Sequence, residues 1–418
     1  MIGAGQAGLT MSWFLQRAGR DHVVLERRST LGGGWQDRWD EFRLVSPNWT
    51  ASFPGAPYDG KDTDGFMPRD ELIHRVAGYA RTIGAPVVLE AGVDRLRPAA
   101  DEGFLVETTR GPITAREVIV AAGGFHVPHV PPVASGLPNE VLSLHSHHYR
   151  RADDLPPGAV LVVGSGQSGV QLVEELKAAG RDVFLSVGSA GRAPRRYRGR
   201  DLFFWLWSLG ERGAQFGTAL PSVDKLPDPR RRLAGNPHLS GHAGGHETNL
   251  REMGRSGVTL LGRVMSIDGG RIEFGDDLRP NLAAADRFFA ERFRGLIDAF
   301  IAADGLDCPP DEPRDAVEFE PPVIDHLDLG KSGVTTVLWT SGYRQDLGWI
   351  DMPVADAMGF PRQVRGVSDV PGLYFIGSLW QHDQISATLF GLPRDARVLA
   401  ERMGLRKEDD APPPYSAA

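Results

Sequence analysis

The clearest feature of the chain is one pattern of apolar and polar positions that occurs twice. At 159–180 an apolar run, Val160 to Val163, leads into a turn with three glycines, and the helix predicted after it has one apolar face. At the start of the chain a similar glycine turn precedes the predicted helix "LTMSWFLQRAG", but only Met1 and Ile2 stand before it. Both stretches therefore predict a strand, a turn and a helix in succession.

The glycines in both turns have the spacing G-x-G-x-x-G, which is typical of dinucleotide-binding turns. The first glycine allows the tight bend, the second lets the backbone approach a pyrophosphate, and the third lets the helix pack on the strand. The phosphates then bind at the N-terminus of the helix. The sequence thus predicts two dinucleotide sites, one formed by Gly3, Gly5, Gln6, Ala7 and Gly8 and the other by Gly164, Gly166, Gln167, Ser168 and Gly169.

The second copy also indicates what the first copy lacks. Several apolar strand residues stand before Gly164, whereas only two residues stand before Gly3. We expect two or more further apolar residues to precede Met1 in a complete first strand.

The end of the next predicted strand distinguishes the two sites. In the first copy the strand "HVVLER" carries Glu26, whose carboxylate is placed to accept hydrogen bonds from an adenosine ribose 2'-hydroxyl. In the second copy the strand "DVFLSV" ends at Ser186 and Val187, and an arginine-rich segment with Arg192 and Arg195 follows. These arginines form either a clamp for a 2'-phosphate or a solvated basic loop. We expect FAD in the first site and NADPH in the second.

The remaining segments indicate an α/β fold with two Rossmann-like dinucleotide-binding domains. A long loop rich in glycine, tryptophan and proline follows the first unit at 31–60, and helices are predicted at 68–84, 282–305 and 384–403. Late strands, "GVTTVLWTSGYR" and "GLYFIGS", have no evident partner in the second unit, so we assign them to the first. The predicted organisation is an NADPH domain inserted into a split FAD domain. Its segments are 1–150 and 326–405 for the FAD domain, 151–325 for the NADPH domain with an aromatic-rich insertion at 195–250, and a disordered tail at 406–418.

The most hydrophobic run is "DLFFWLWSLG" at 201–210, within that insertion. It is about half the length of a membrane span of roughly 20 residues. Three interpretations stay open for it: a buried segment at a domain interface, the wall of a substrate cavity, or a contact with a membrane surface.

Composition and charge exclude several classes of protein. The chain is 41% hydrophobic and 24% charged, as globular proteins are, and a net charge of −8 with a pI near 5.9 argues against a nucleic-acid partner. A single cysteine, Cys308, excludes a disulfide framework within the chain and fits a reducing, cytoplasmic location. It also excludes a pair of cysteines that could accept electrons.

Two groups of histidines require separate interpretation. His238, His242 and His246 are spaced by four, but the prolines and glycines between them make a helix, and hence a metal site, improbable. We therefore expect no metal. His145 stands just before the second unit, where a linker that controls NADPH placement would lie.

On these residues the chain resembles the class B flavin-dependent monooxygenases, and among them the bacterial CzcO-like proteins. The resemblance covers nearly the whole chain and includes both glycine turns, "GGGW" at 32–35, "SPNWTASFPGAPY", "VIVAAGG", "VLWTSGYR" and "GLYFIGS". The family signature FxGxxxHxxx(W/Y) falls on Asn139, Val141, His145 and Tyr149, so that only its second half is present. This departure weakens the transfer of a specific reaction but not of the fold.

The resemblance implies further site residues. Trp35 is expected to lie against the flavin or its linker, and Ser378, Thr388 and Leu389 at the flavin ring, although helix capping alone would also explain the two hydroxyls. Asn48 is either a catalytic donor to the flavin hydroperoxide or part of a local Asx-turn. The other FAD-binding residues expected from the resemblance are Arg27, Gly34, Val93, Ala122 and Gly123.

The activity that the resemblance implies is a monooxygenase reaction. NADPH reduces FAD, O2 forms a C4a-hydroperoxide, and this oxygenates a small organic substrate at nitrogen, at sulfur or in a Baeyer-Villiger reaction. Two other interpretations stay open. The chain could be an NADPH oxidase or reductase that passes electrons to O2 or a partner, or a regulator that binds FAD and NADPH without turnover.

Overall fold

Two parallel sheets, each associated with one glycine turn, organise the structure. The computed structural model describes residues 1–233, 236–312 and 317–405. The tail predicted at 406–418 lies outside the described residues. The fold is of the α/β class with two dinucleotide-binding units, as predicted.

The helices lie mainly between strands, as in other α/β folds. They are α1 (Gln6–Arg17), α2 (Arg69–Thr82), α3 (Gln167–Ala178), α4 (Leu202–Glu211), α5 (Leu250–Arg255), α6 (Leu278–Phe289), α7 (Gly295–Asp304), α8 (Leu329–Ser332) and α9 (Leu392–Arg402). A π-helical segment, Ala290–Arg294, joins α6 to α7. Short 3-10 turns include Gly33–Asp37 and Asn48–Ala51 in the long loop of the first unit.

The strands are short and fall into three groups along the chain. The first group is β1 (Val24–Leu25), β2 (Val87–Val88), β3 (Val93–Pro98), β4 (Phe104–Thr108), β5 (Ile113–Ala115), β6 (Val118–Val120) and β7 (Val127–Pro128). The middle group is β8 (Leu142–His145), β9 (Ala159–Val163), β10 (Val183–Ser186), β11 (Arg196–Tyr197), β12 (Arg200–Asp201), β13 (Leu239–Ser240), β14 (His246–Glu247), β15 (Thr259–Leu261), β16 (Val264–Asp268), β17 (Arg271–Phe274), β18 (His326–Asp328) and β19 (Val334–Trp339). The last group is β20 (Tyr343–Arg344), β21 (Gln363–Val364), β22 (Val367–Ser368) and β23 (Leu373–Phe375).

Ile2 occupies the centre of the first parallel sheet. It bridges in parallel to Leu25 on one side and to Val120 on the other, and so joins the pair β1 and β2 to β6 and β23. The amide of Gly3 donates to the carbonyl of Leu25 at 2.8 Å. The first glycine turn therefore leaves the middle of the sheet, although a single bridging residue precedes it.

The second parallel sheet has five strands in the order β15, β10, β9, β19, β8. The assignment of "GVTTVLWTSGYR" to the first unit is therefore wrong: β19 pairs in parallel with both β9 and β8 in the second unit. Its last three residues, Val337 to Trp339, are fully buried. An apolar run predicts a buried strand, but it does not specify which sheet the strand joins, because pairing is made with distant residues.

Both domain boundaries differ from the predicted ones for the same reason. The second unit includes β8, which precedes residue 151, and β18 and β19, which follow residue 325. The two connections between the units, β7 and β20, pair as an antiparallel ribbon. Each unit also carries an antiparallel three-stranded sheet, β3-β4-β5 in the first and β16-β17-β18 in the second.

The helix predicted at 384–403 begins later than expected. α9 starts at Leu392, and the residues before it form an irregular turn in which Ala387 has φ of 67°. Thr388 closes this turn, since its hydroxyl donates to Ile385 O (2.6 Å) and accepts from Gly391 N (3.0 Å). Hydroxyl contacts of this kind compete with the helix and delay its start.

The hydrophobic run at 201–210 forms α4 and is a buried interface helix. Trp205 is fully buried in a cluster that includes residues of α7 and, from the first unit, Trp49 and Phe390. Among the described residues no helix is long and apolar enough to span a membrane.

A hydrogen bond joins Tyr149, which follows β8, to Glu175 of α3. Tyr149 is fully buried and donates to Glu175 Oε1 at 2.8 Å. Burial raises the pKa of Glu175 to about 7, and the hydrogen bond from Tyr149 opposes that rise. Tyr149, the last residue of the family signature, thus contacts a buried carboxyl group of α3.

A pair of fragments tests the observed domain boundaries. We expect residues 129–342, which retain all five parallel strands, to unfold cooperatively, and residues 151–325, which lack β8 and β19, not to do so. Thermal unfolding followed by circular dichroism measures the difference. Both fragments lack the first unit and expose the same face of α4, so the exposed apolar surface of α4 cannot explain a difference in their unfolding. Cooperative unfolding of the shorter fragment would contradict the strand order.

Replacing Glu175→Gln tests the buried carboxyl. The native state keeps its proton up to about pH 7, whereas the unfolded chain loses it near pH 4.5. Its contribution to stability is therefore complete below pH 4.5 and is lost as the pH rises through 7. In the variant the free energy of unfolding should not show this fall, as measured by urea unfolding at pH 5, 6, 7 and 8. Glu252→Gln, an exposed carboxylate on α5, should follow the wild type, and an unchanged pH profile in Glu175→Gln would refute the prediction.

Candidate functional site

The first glycine turn leaves space at its second glycine only. A Cβ built on Gly8 would lie 1.9 Å from the carbonyl oxygen of Gly3, and one on Gly3, where φ is 103°, would lie 2.5 Å from Ala121 O. On Gly5 the nearest atom would be Gly33 Cα, at 3.8 Å. Gly3 and Gly8 are thus required for packing, whereas Gly5 presents bare backbone to open space, as a pyrophosphate needs.

The second glycine turn repeats this geometry. A Cβ on Gly169 would lie 2.0 Å from Gly164 O, and one on Gly164 would lie 2.9 Å from Thr340 O. A Cβ on Gly166 would meet nothing within 4 Å. The hydroxyl of Thr340, at the end of β19, donates to Gly164 O at 2.6 Å and fixes the bend.

The helices after both turns begin without a side-chain cap. Gly5 and Gly166 are the N-cap residues of α1 and α3, and neither helix has a side chain that accepts from its first amides. Gln6 and Ala7 lie in the first turn of α1, and Gln167 and Ser168 in that of α3. Free amides at a helix N-terminus bind phosphate, so both sites fit a dinucleotide.

Glu26 lies at the edge of the first turn, as predicted. It is buried, its Oε2 accepts from Ala4 N at 2.8 Å, and its Oε1 accepts from Arg28 N at 3.0 Å. Each carboxylate oxygen can accept a further hydrogen bond, so a ribose hydroxyl can still bind. Arg27 is exposed beside Gly92. Val93 is buried in the core under β1 rather than at the turn.

The "GGGW" segment lies directly over the first turn. A Cβ on Gly33 would lie 3.0 Å from Gly5 Cα. Trp35 Nε1 donates to Gln6 Oε1 at 2.9 Å, and Gly34 has no atom within 4 Å of a built Cβ. Gln6 therefore holds Trp35 beside the site predicted for FAD.

Two further segments meet this turn. Ala122 and Gly123 follow β6 and are exposed beside Gly3. A Cβ on Gly377 would lie 2.7 Å from Ala7 Cβ, which places Ser378 at the start of α1. Gln6 Nε2 donates to the carbonyl of Ala387 at 3.4 Å, next to Thr388. Leu389, by contrast, is buried in the hydrophobic core.

A buried ion network fixes the turn before α9. Arg394 donates to both carboxylate oxygens of Asp383, at 2.7 and 3.0 Å, and to Asp395 Oδ1 at 2.9 Å. It also donates to Gly210 O at 3.2 Å, in α4. All three charged side chains are buried. The sequence did not predict this network, because charged residues on an amphipathic helix normally indicate its solvated face.

Arg192 and Arg195, expected to form either a clamp for a 2'-phosphate or a solvated basic loop, both have protein partners, and the clamp stays a prediction. Arg192 is ion-paired with Glu247 and, through Nε at 2.9 Å, with Asp286. Arg195 is turned toward the first unit and is buried there. Ser186 is also buried, and its hydroxyl donates to Gly262 O at 2.9 Å. Sequence could not reveal these pairings, since the carboxylates lie far along the chain.

His238 supports the second turn and was not predicted to do so. Its ring is fully buried, and Nε2 lies 2.5 Å from the carbonyl oxygen of Ser165. Burial lowers its pKa to about 4, so the neutral ring donates this bond. Gln167 Nε2 donates to Leu239 O, so that β13 lies against the N-terminus of α3. The spacing of the histidines gave no signal for this role.

The other histidines of that group have separate partners. His246 Nε2 lies 2.8 Å from Glu174 Oε1, and this hydrogen bond raises the pKa of His246. Within the described residues no group of three or more histidine, cysteine or acidic side chains is arranged to hold a metal ion. His145 ends β8, where its Nε2 lies 2.9 Å from Gly342 O in the connection between the units.

Asn48 holds the long loop of the first unit together. Its Nδ2 donates to Asp62 O at 2.8 Å, and its Oδ1 accepts from Met67 N at 2.6 Å. These partners are distant in sequence, so the interpretation as a local Asx-turn is wrong. The catalytic role of Asn48 stays a prediction.

Aromatic side chains of α4 pack on this loop and on the segment before α9. The ring of Trp49 lies 6.4 Å from that of Trp207 in an edge-to-face arrangement, and Phe203 packs on Phe390 at 5.5 Å. This seam lies next to Thr388 and Leu389. It supports the interpretation of the hydrophobic run as a domain interface.

Alanine substitutions at the glycines test the two turns. Gly5→Ala and Gly166→Ala meet no protein atom closer than 3.8 Å and have helix-compatible φ of −74° and −70°. We expect both proteins to fold, Gly5→Ala to lose FAD, and Gly166→Ala to retain FAD but to bind NADPH at least about tenfold more weakly. Flavin content and nucleotide titration measure these effects.

The third glycines provide the contrasting variants. Gly8→Ala and Gly169→Ala should lose about 3 kcal/mol of stability, because the new methyl group overlaps a carbonyl oxygen. Equal effects of the second and third glycines on thermal unfolding would contradict the assigned roles.

Comparison with known proteins shows what the chain is similar to. A family model described as "Pyridine nucleotide-disulphide oxidoreductase" matches residues 1–200. An oxidoreductase named CzcO-like from Geobacillus kaustophilus is 29% identical over 404 residues, which cover 96% of each chain.

Two solved structures share the fold. A flavin-containing monooxygenase from Stenotrophomonas maltophilia has a TM-score of 0.65 at 20% identity, with 96% of each chain covered. The structure titled "OTEMO complex with FAD and NADP" has a TM-score of 0.53 at 14% identity, with 97% of this chain and 84% of that chain covered.

The paired glycine turns, the inserted second unit and these matches agree with the resemblance found in the sequence. The chain is similar to the pyridine nucleotide-disulphide oxidoreductase family over its first 200 residues and to CzcO-like oxidoreductases over nearly its whole length.

Proposed function

We propose that the protein is a monooxygenase that uses FAD, NADPH and O2 to oxygenate a small organic substrate. The observation that carries this proposal is the pair of open second glycines. Gly5 and Gly166 each present bare backbone to free space in one chain, whereas their neighbours are locked by packing. Two dinucleotides can therefore bind, one to each unit.

The first site favours FAD because an acidic side chain stands at the ribose position. Glu26 would hold the adenosine ribose, the amides of α1 would hold the pyrophosphate, and Trp35 would lie along the bound molecule. Ala122, Gly123 and Ser378 border the same turn.

The second site favours NADPH because it lacks that acid. Ser186 stands where the first unit has Glu26, so no carboxylate at this position repels a 2'-phosphate. Binding of the phosphate by Arg192 would require exchange of its ion pairs with Glu247 and Asp286. The pyrophosphate would bind to Gly166, Gln167 and Ser168. The hydrogen bond from His238 to Ser165 O supports this turn.

When both cofactors are bound, NADPH supplies a hydride to FAD, and the reduced flavin passes electrons to O2 so that one oxygen atom enters the substrate and the other leaves as water. The sequence contains one cysteine, Cys308, and therefore no cysteine pair that could take these electrons instead. At the junction of the units Trp207 of α4 packs on Trp49 of the long loop, and Phe203 of α4 packs on Phe390.

Isotope labelling tests the proposal. The purified protein with FAD should be reduced by NADPH without oxygen, and exposure to ¹⁸O2 with a panel of sulfides, amines and ketones should yield a labelled product, one per NADPH consumed. Gly166→Ala should lower the rate of reduction at limiting NADPH while leaving the flavin content unchanged.

Two other outcomes would contradict it. Hydrogen peroxide equal to the NADPH consumed, with no labelled product across the panel, would show an oxidase. Flavin that binds but stays oxidised with NADPH under anaerobic conditions would show a regulator without turnover.

A further inference from the structure

Arg195 is a buried arginine whose guanidinium contacts both units of the fold. The residue is 7% exposed. Its Nε donates to Asp201 Oδ2 at 2.7 Å, and its Nη1 donates to the carbonyl of Val45 at 2.6 Å. Asp201 is the N-cap residue of α4, and Val45 lies in the long loop of the first unit. The side chain is therefore held firmly at the junction of the two units.

The third nitrogen of this guanidinium is buried and has no acceptor. Among the residues that the structure describes, none accepts a hydrogen bond from Nη2 of Arg195, although the atom is shielded from solvent. Asp201 does not fill the gap: its Oδ2 accepts from Nε, and its Oδ1 accepts from Phe203 N at 2.8 Å. Buried N–H donors are nearly always paired, so this one indicates a missing acceptor.

The charges around Arg195 favour an anionic acceptor. Burial lowers the pKa of Arg195, and Arg196 adds to this effect whereas Asp201 opposes it. Asp201 contacts only Nε, and Nη1 donates to the neutral carbonyl of Val45, so that no described residue brings a negative charge to the outer edge of the guanidinium. A second negative group at that edge would offset the cost of burying the cation.

Two aromatic rings lie close to the guanidinium of Arg195. The guanidinium carbon lies 4.2 Å from the centre of the Phe66 ring and 5.5 Å from that of Phe203. Phe203 packs on Phe390, which follows Thr388 and Leu389. The guanidinium therefore lies among aromatic side chains, one of which packs on the segment expected at the flavin ring.

We propose that Nη2 of Arg195 binds the carboxylate of the substrate, so that the enzyme acts on small organic acids whose apolar part lies against the aromatic side chains of α4. The inference rests on the proposed function, because it names the substrate class of that site. Guanidinium and carboxylate form short, charge-assisted hydrogen bonds, which apolar surroundings strengthen.

A pair of nearly isosteric probes tests the inference. (Phenylsulfanyl)acetate carries a carboxylate beside an oxidisable sulfur, and (phenylsulfanyl)acetamide is its neutral counterpart. Their dissociation constants are measured with the FAD-loaded protein in the presence of NADP⁺, from the change in flavin absorbance and without turnover. The wild type should bind the acid at least about tenfold more tightly than the amide.

Three variants distinguish a loss of carboxylate binding from a general loss of protein stability. Arg195→Lys keeps the charge but not the planar edge, and the double variant Arg195→Met with Asp201→Asn removes the buried pair without leaving one charge alone. An asparagine at 201 can still cap α4. Arg200→Met is the matched control, since Arg200 also stacks on a ring of α4, that of Phe204, at 4.5 Å.

Loss of the preference for the acid in both Arg195 variants, by about 10- to 100-fold, would support the inference, provided that Arg200→Met retains it. A wild-type ratio near one would overturn it before any variant is made. Equal ratios in the wild type and Arg195→Lys would also overturn it, as would a tenfold loss of NADPH affinity with unchanged probe binding.

Failure of the carboxylate site can be distinguished from failure of the proposed monooxygenase function. Because the probes are measured at equilibrium, an Arg195-dependent preference stands even if only peroxide forms under O2. Conversely, sulfoxide formed from both probes with equal KM in the wild type would support the monooxygenase and refute the carboxylate site.

Discussion

A backbone contact that leaves no room for a side chain is the constraint on which both nucleotide sites depend. The first and third glycines of each turn approach so closely that a methyl group on Gly8 or Gly169 would overlap a carbonyl oxygen. This contact brings the N-terminus of the helix against the end of the central strand. As a result the second glycine, Gly5 or Gly166, faces open space beside uncapped amides, which is the arrangement that a pyrophosphate requires.

The two units are joined by buried polar groups as well as by apolar packing. Arg394 links the turn before α9 to α4, and Arg195 links α4 to the long loop of the first unit. Between them lie the aromatic contacts of Trp207 and Phe203. Buried charges tolerate little change in geometry, because separating them leaves an uncompensated ion. They therefore determine how the segment expected at the flavin meets the α4 surface.

Features whose signal is local were predictable. The glycine turns, α3 and Glu26 follow from contiguous residues, since the spacing of glycines and apolar positions directly determines a strand, a turn and a helix. The convergence of Trp35 on Gln6 agrees with the resemblance to the family. The contacts of Asn48 were not predictable, because its partners, Asp62 and Met67, lie on a later part of the loop.

The sequence by itself thus determined the fold class, the presence of two dinucleotide turns and the difference between Glu26 and Ser186. Only the tertiary structure decided that β19 lies between β8 and β9, and that Arg192 is neutralised by Glu247 and Asp286. Strand order and ion pairing depend on which distant residues meet. That choice minimises the free energy of the whole fold, and no local pattern of residues encodes it.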